Sequence, residues 1–93
     1  MLGGHSAPKP ADEDAQAIAD SVKASIEQEL GKSFNTFRVH QYTTQVVAGT
    51  NYKLKIEADG DFLHAVVFKP LPHTGEAPSL SKVESGKTLN DSL

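Results

Sequence analysis

The sequence predicts an α+β fold in which one long helix packs across a four- to five-stranded antiparallel sheet. Three features of the 93 residues predict it: an apolar stripe with helical spacing near the N-terminus, an alternating strand ending in Asp-Gly, and further segments rich in β-branched and aromatic residues. A helix with one apolar stripe needs an apolar surface to lie on, and the sheet supplies it.

Residues 1–11 are predicted to be an extended, mobile N-terminal arm of a single domain that spans residues 1–93. This segment has almost no bulky apolar residue apart from Leu2. Its glycines and prolines, which disfavour regular structure, are Gly3, Gly4, Pro8 and Pro10. A chain of this length is too short for two independently folding units.

The helix is predicted over residues 12–30, where apolar residues recur at steps of three and four. They are Ala15, Ile18, Ala19, Val22, Ile26 and Leu30. Asp12 is suited to cap the first turn, and Gly31 is a natural residue to end the helix. About 18 residues at about 1.5 Å each give a helix roughly 27 Å long.

The strongest strand prediction covers residues 52–58, where apolar and charged residues alternate. Asp59-Gly60 follows as a tight hairpin turn, and residues 62–69 form the returning strand. An earlier strand is predicted within residues 34–47, with a β-bulge near His40–Gln41 because the alternation slips there. A last, weaker strand covers residues 79–84.

Composition excludes several classes of function. Nine basic and twelve acidic residues give a net charge of −3, which argues against a nucleic-acid-binding domain. The chain has no cysteine, so disulfide scaffolds, thiolate metal sites and thiol catalysis are ruled out. The longest apolar run has four residues, and neither a membrane span nor a signal peptide is expected. We therefore expect a cytoplasmic protein.

No catalytic or metal-binding constellation stands out. The four histidines, which are scattered without metal-ligand spacing, are His5, His40, His64 and His73. They are interpreted as strand and loop residues, and Asp59-Gly60-Asp61 as a turn, since the other ligands of a calcium loop are missing. We expect no enzyme activity and no cofactor.

Apolar residues lie where a hairpin turn is expected to be polar. Gln45-Val46-Val47-Ala48-Gly49 connects two predicted strands, and exposed apolar residues there favour a contact site. Leu71-Pro72 follows at the next connection on the same side of the meander, and Leu2 on the arm could reach the same end. Together they would form an apolar wedge. The alternative is that Val46 and Val47 simply end a strand.

Residues 45–49 resemble the Gln-x-Val-x-Gly hairpin of the cystatin superfamily. The downstream Val67-Phe68-Lys69-Pro70-Leu71-Pro72-His73 resembles the second hairpin of its stefin branch. The N-terminal glycine pair and Lys9-Pro10-Ala11 at the entry to the helix are also similar to stefins. The resemblance covers residues 2–83.

The resemblance implies a tight-binding, reversible inhibitor of papain-like cysteine proteases. The resemblance implies that Gly3, or else Gly4, matches the glycine of the family's N-terminal trunk, and that Leu2 enters an apolar subsite of the protease. Residues 45–49 cover the region of the protease's catalytic cysteine, and Leu71, Pro72 and His73 contact the primed side of the protease cleft. The inhibitor is expected to be a monomer when active, with a domain-swapped dimer as an inactive form. The alternatives are a non-inhibitory protein-binding module on the same fold and, more remotely, a small hydrolase.

Overall fold

Two short helices lie across one face of a five-stranded antiparallel sheet in the computed structural model, which describes residues 5–93. The strands follow each other in the sheet in chain order: β1 (Lys9–Pro10), β2 (Phe37–Val47), β3 (Gly49–Ala58), β4 (Asp61–Lys69) and β5 (Ser79–Lys87). The helices are α1 (Glu13–Ser21) and α2 (Lys23–Leu30). The predicted fold class is confirmed.

The predicted single helix is interrupted at Val22. This residue has φ −113° and ψ 8°, outside the helical region, so α1 ends there and α2 begins on its other side. The Ser21 hydroxyl donates to the carbonyl of Ile18 at 2.6 Å, and such a bond within a helix bends it. The predicted caps are correct: Asp12 accepts from the amide of Ala15, and Gly31 ends α2 at φ 67°.

The β-bulge lies where the alternation slips. Val39 pairs with Ile56 and Gln41 with Lys55, so His40 is the additional residue of β2. Beyond the bulge, β2 and β3 remain paired as far as Val47 and Gly49. The strand is shorter than predicted at its start, because residues 34–36 precede β2 as a loop.

The turn between β3 and β4 is tied to this loop. Asp59 and Gly60 have φ of 50° and 89°, the pair of positive angles that a two-residue type I′ hairpin needs. The Asp59 carboxylate accepts from the amides of Asn35 and Thr36, at 3.1 and 2.7 Å for Oδ1. These two amide bonds, first Thr36 and then Asn35, lower the pKa of Asp59.

The core lies between the helices and the inner face of the sheet. Its residues are Ala15, Ile18, Ala19, Val22, Ile26, Phe34, Val39, Tyr42, Leu54, Ile56, Ala58, Leu63, Ala65 and Val67. The strands contribute alternate residues to it, as the sequence pattern predicts. No helix within residues 5–93 is long and apolar enough to cross a membrane.

The C-terminal tail (residues 88–93) lies over the middle of the opposite face of the sheet, here called the outer face. Lys55 points to this face but is only 2% exposed. Its ammonium group donates to the carbonyls of Leu89 and Asp91 in the tail. These bonds replace the water that a buried ammonium loses, and they fasten the tail to the middle of the sheet.

Candidate binding site

The hairpin between β2 and β3 is unusually tight and apolar. Val47 pairs with Gly49, so Ala48 alone joins the two strands. Val46 is 78% exposed and Val47 43% exposed, and these are the largest apolar side chains of the tip. Residues 46–49, here called the hairpin tip, therefore present apolar surface to solvent on a closely paired strand end.

Gly49 is required at its position for two reasons. Its φ of +129° is a backbone conformation that other residues rarely adopt. A Cβ atom there would lie 2.6 Å from the carbonyl oxygen of Lys69, and 2.8 and 2.9 Å from two ring atoms of Phe68. The backbone of the hairpin tip thus lies directly against the end of β4, which only a glycine allows.

Gln45 is held at the base of the hairpin tip by its cross-strand partner. Gln45 pairs with Asn51 in the ladder, and the Asn51 side-chain amide donates to Gln45 Oε1 at 3.0 Å. The two side chains lie on the same face of neighbouring strands, and the hydrogen bond between them fixes the direction of the half-buried Gln45 side chain.

The connection between β4 and β5 (residues 70–78, here called the second loop) is closed by its own hydrogen bonds. Pro70 is buried, and Leu71 beside it is 39% exposed. Pro72–Thr74 form a 3₁₀ turn in which the amide and the hydroxyl of Thr74 both donate to the Leu71 carbonyl, at 3.1 and 2.8 Å. Pro72 and His73 are exposed on this turn.

The two connections lie at one end of the sheet. Thr50 pairs with Lys69, so the start of β3 lies beside the end of β4. The Asp59-Gly60 turn closes the same pair of strands at the other end. The structure therefore brings together all eight predicted site residues from the two connections: Gln45, Val46, Val47, Ala48, Gly49, Leu71, Pro72 and His73.

The described part of the N-terminal arm runs along the edge of β2. Lys9 pairs with Tyr42, and the amide of Ser6 donates to the carbonyl of Thr44 at 2.7 Å. This part of the arm is thus bound to the sheet, although the sequence favoured a mobile segment. Ser6 lies beside the stretch of β2 that leads into the hairpin tip. The remaining predicted site residues, Leu2, Gly3 and Gly4, lie outside the described residues.

Asp12 fixes the point where the arm turns into α1. Its carboxylate accepts from the Tyr42 hydroxyl at 2.6 Å and from the amide of Ala15 at 2.8 Å. The hydrogen bond to Asp12 raises the pKa of Tyr42 to about 12, and the same bond lowers the pKa of Asp12. The Lys9 ammonium also lies 5.7 Å from the centre of the Tyr42 ring.

The one close pair of a histidine and a carboxylate among the described residues lies away from this end of the sheet. His40 Nε2 lies 2.7 Å from Glu57 Oε1, but both residues are toward the Asp59-Gly60 end. Within residues 5–93, no group of three His, Asp or Glu side chains is placed to hold a metal ion. What the hairpin tip and the second loop offer is shape and apolar surface.

Sequence reasoning missed three residues that shape the molecule. Lys55 is bonded to the C-terminal tail, His64 lines a cavity together with the last two residues of the tail, and Phe68 lies against Gly49. The alternating pattern places Lys55 on the outer face, but it contains no signal that the tail folds back over that face. The link between Gly49 and Phe68 depends on the β3–β4 register, which a single strand's pattern does not specify.

Comparisons with known proteins agree with this geometry. The sequence matches the family model of the cystatin domain over residues 3–90. Its relatives include Cystatin-B of Oplegnathus fasciatus, 45% identical over 100% of this chain and 94% of the relative, and Cystatin-B of Homo sapiens, 40% identical over 100% and 96%. The solved structure of a secreted type 1 cystatin from Fasciola hepatica is similar, with a TM-score of 0.73 and 28% identity over 90% of this chain and 96% of that chain.

The comparisons confirm the resemblance that was based on the Gln45-to-Gly49 hairpin and the Leu71-Pro72-His73 loop. The match extends along the chain from the N-terminal glycines to the tail. The chain belongs to the cystatin family of cysteine protease inhibitors.

Proposed function

We propose that this protein inhibits papain-like cysteine proteases by filling the active-site cleft with three elements. These are the hairpin tip, the second loop and the N-terminal arm with Leu2, Gly3 and Gly4. The observation that carries the proposal is the placement of two apolar connections side by side at one end of a hydrogen-bonded sheet. The exposed side chains of Val46 and Leu71 supply apolar surface for the cleft walls.

The proposed mechanism is occlusion without cleavage. A protease cleaves when a substrate carbonyl lies about 3–3.5 Å from its nucleophile in a suitable orientation. The hairpin tip turns back on itself at Ala48, and Gly49 has a φ of +129°, so its peptide bonds are not presented as an extended substrate would present them. The inhibitor therefore occupies the cleft and dissociates intact.

Tight binding is expected because both connections are ordered before they bind. Each is held by backbone pairing or by bonds within the loop, so little conformational entropy is lost on association. The association rate is then limited mainly by orientation, and variants of the contact residues change mainly the dissociation rate.

Titration of papain tests the proposal. We expect added protein to abolish hydrolysis of a small substrate at one equivalent per active site, with the inhibitor recovered uncut. Val46→Asp places a charge on the hairpin tip and should weaken inhibition strongly. Leu89→Asp is the matched control, because Leu89 is also an exposed apolar residue, at 51%, but belongs to the tail.

Two results would contradict the proposal. Full papain activity at a large excess of the protein would exclude inhibition and would favour the alternative function, a non-inhibitory binding module. Equal weakening by Val46→Asp and Leu89→Asp would show that the hairpin tip is not the contact surface.

We infer that the inhibitor acts as a monomer and that a domain-swapped dimer is inactive. β2 and β3 are 11 and 10 residues long and are joined by Ala48 alone, so opening the hairpin would create one continuous strand. The helices, β1 and β2 would then pair with a second copy, and the hairpin tip would disappear. Heating a concentrated sample near its unfolding midpoint and cooling it should produce a dimer peak in size-exclusion chromatography. A dimer that inhibits papain as well as the monomer would place the hinge elsewhere.

We also propose a cytoplasmic location for the protein. Full-length relatives are of the Cystatin-B type, and the absence of cysteine is compatible with a reducing compartment. Fractionation of the source cells with an antibody to the protein tests this, and recovery mainly from the medium would contradict it.

A further inference from the structure

The ring of Phe68 occupies the space that a side chain at Gly49 would fill. Two of its ring atoms, Cζ and Cε1, lie within 3 Å of the position of a Cβ on Gly49, at 2.8 and 2.9 Å. Gly49 is buried although it belongs to an otherwise exposed tip. An aromatic ring on a neighbouring strand that covers a glycine in this way compensates for the side chain that the glycine lacks.

The β-sheet register places this contact on the outer face. Phe68 pairs with Asn51, and Gly49 lies two residues before Asn51 on the same face of β3. Asn51 in turn donates to the side chain of Gln45. The ring therefore lies beside the cross-strand pair that holds the base of the hairpin tip.

Phe68 also leads directly into the second loop. Its neighbour Lys69 contributes the backbone oxygen that a Cβ atom on Gly49 would meet at 2.6 Å, and buried Pro70 and exposed Leu71 follow. One side chain thus touches the hairpin tip while its own backbone carries the second loop. The contact therefore bridges the two connections.

We propose that Phe68 is a positioning residue for inhibition: its ring holds the hairpin tip at a fixed distance from the second loop. The inference depends on the proposed function, because the consequence is the fit of both connections into one cleft. Without the ring, the Gly49 backbone has free space beside it and the intrinsic freedom of glycine. The tip must then be ordered again on each binding event.

The test compares Phe68→Ala with Phe62→Ala. Phe62 is on the same strand and the same face and is also half-buried, but it lies at the opposite end, with its ring 5.5 Å from that of His40. Both variants lose a half-buried ring, so they should lose similar amounts of stability. Phe68→Tyr keeps the ring and serves as the conservative variant.

Amide hydrogen exchange measures the positioning directly, without a protease. We expect the amides of Val47 and Gly49 to exchange faster in Phe68→Ala than in Phe62→Ala and Phe68→Tyr, under conditions where all three are folded. Stopped-flow kinetics with papain measure the consequence. The dissociation rate should rise about 10- to 100-fold in Phe68→Ala alone, which corresponds to ordering one or two residues again.

The outcomes separate this inference from the proposed function. A wild-type protein that fails to inhibit papain refutes the proposed function and, with it, this role of Phe68. If the wild type inhibits while Phe68→Ala and Phe62→Ala dissociate equally fast, the role of Phe68 alone is refuted. Unchanged exchange at Val47 and Gly49 in Phe68→Ala refutes it as well.

Discussion

Gly49→Ala should destabilise the fold far more than a glycine-to-alanine change normally does. The new methyl group would lie 2.6 Å from the Lys69 carbonyl oxygen and 2.8 Å from the Phe68 ring. A ring can turn aside, but a backbone oxygen in a β-ladder cannot move without breaking the pairing of Thr50 with Lys69. The hairpin tip must therefore shift away from β4.

The magnitude follows from two costs. A non-glycine residue in a left-handed conformation costs about 1–2 kcal/mol. Forcing a methyl group into occupied space costs about 1–3 kcal/mol more. We expect Gly49→Ala to lower the free energy of unfolding by about 2–5 kcal/mol, and the displaced tip should also weaken papain inhibition.

Gly31→Ala is the matched control. Gly31 also has a positive φ, of +67°, but a Cβ there would have no atom within 4 Å. It should lose only the conformational term, about 1–2 kcal/mol. Urea unfolding followed by circular dichroism measures both values. If the two variants are equally stable, the close contact between Gly49 and the end of β4 does not constrain the hairpin, and the reasoning fails.

Three further predictions concern the outer face and the arm. Burial, and then the positive charges of Lys55 and Lys87, lower the pKa of His64 from its ordinary 6.5, so the unfolded chain binds this proton more tightly. The free energy of unfolding should therefore fall as the pH drops below 6.5, and it should fall less in His64→Asn. Urea unfolding at several pH values measures this dependence, and an equal dependence on pH in the two proteins would contradict the prediction. Lys55→Met keeps the apolar stem of the side chain but removes the hydrogen-bond donors to the tail, so carboxypeptidase should release the last residues faster. Global stability should change little, because the substitution also removes a buried charge. An unchanged rate of digestion would show that Lys55 does not hold the tail on the sheet. Deleting residues 1–4 should speed dissociation from papain by about 10- to 150-fold, because the complex loses the free energy of burying the Leu2 side chain. The melting temperature should not fall. Equal dissociation rates of the shortened and the full-length protein would exclude the arm from the site.

Local chemistry explains what the sequence alone could predict. Alternation over residues 52–58 and the Asp59-Gly60 pair specify a strand and its turn, because side-chain period and positive φ act over a few residues. The slip at His40 predicted the bulge for the same reason. Helix caps at Asp12 and Gly31 are likewise local.

Features that depend on register or on distant segments could not be predicted. The interruption at Val22 escaped the periodicity, because the apolar stripe continues through it. Valine and alanine disfavour the positive φ angles of tight hairpins, but in this hairpin none of them has to adopt one. Among the described residues, Asp59 is the only non-glycine residue with positive φ, and the unusual angle of the hairpin tip belongs to Gly49. The packing of Gly49 on Phe68 and the covering of Lys55 by the tail arise only when the strands and the tail are assembled.

Binding to papain with a blocked cleft tests the central claim most directly. Free papain is compared with papain whose cleft is filled by a covalently attached peptidyl inhibitor, and binding of this protein to each is measured by isothermal titration calorimetry. If the hairpin tip, the second loop and the arm occupy the cleft, the free enzyme binds one equivalent tightly and the blocked enzyme shows no measurable binding. Equal affinity for both enzymes would contradict the account, because the contact surface would then lie outside the cleft.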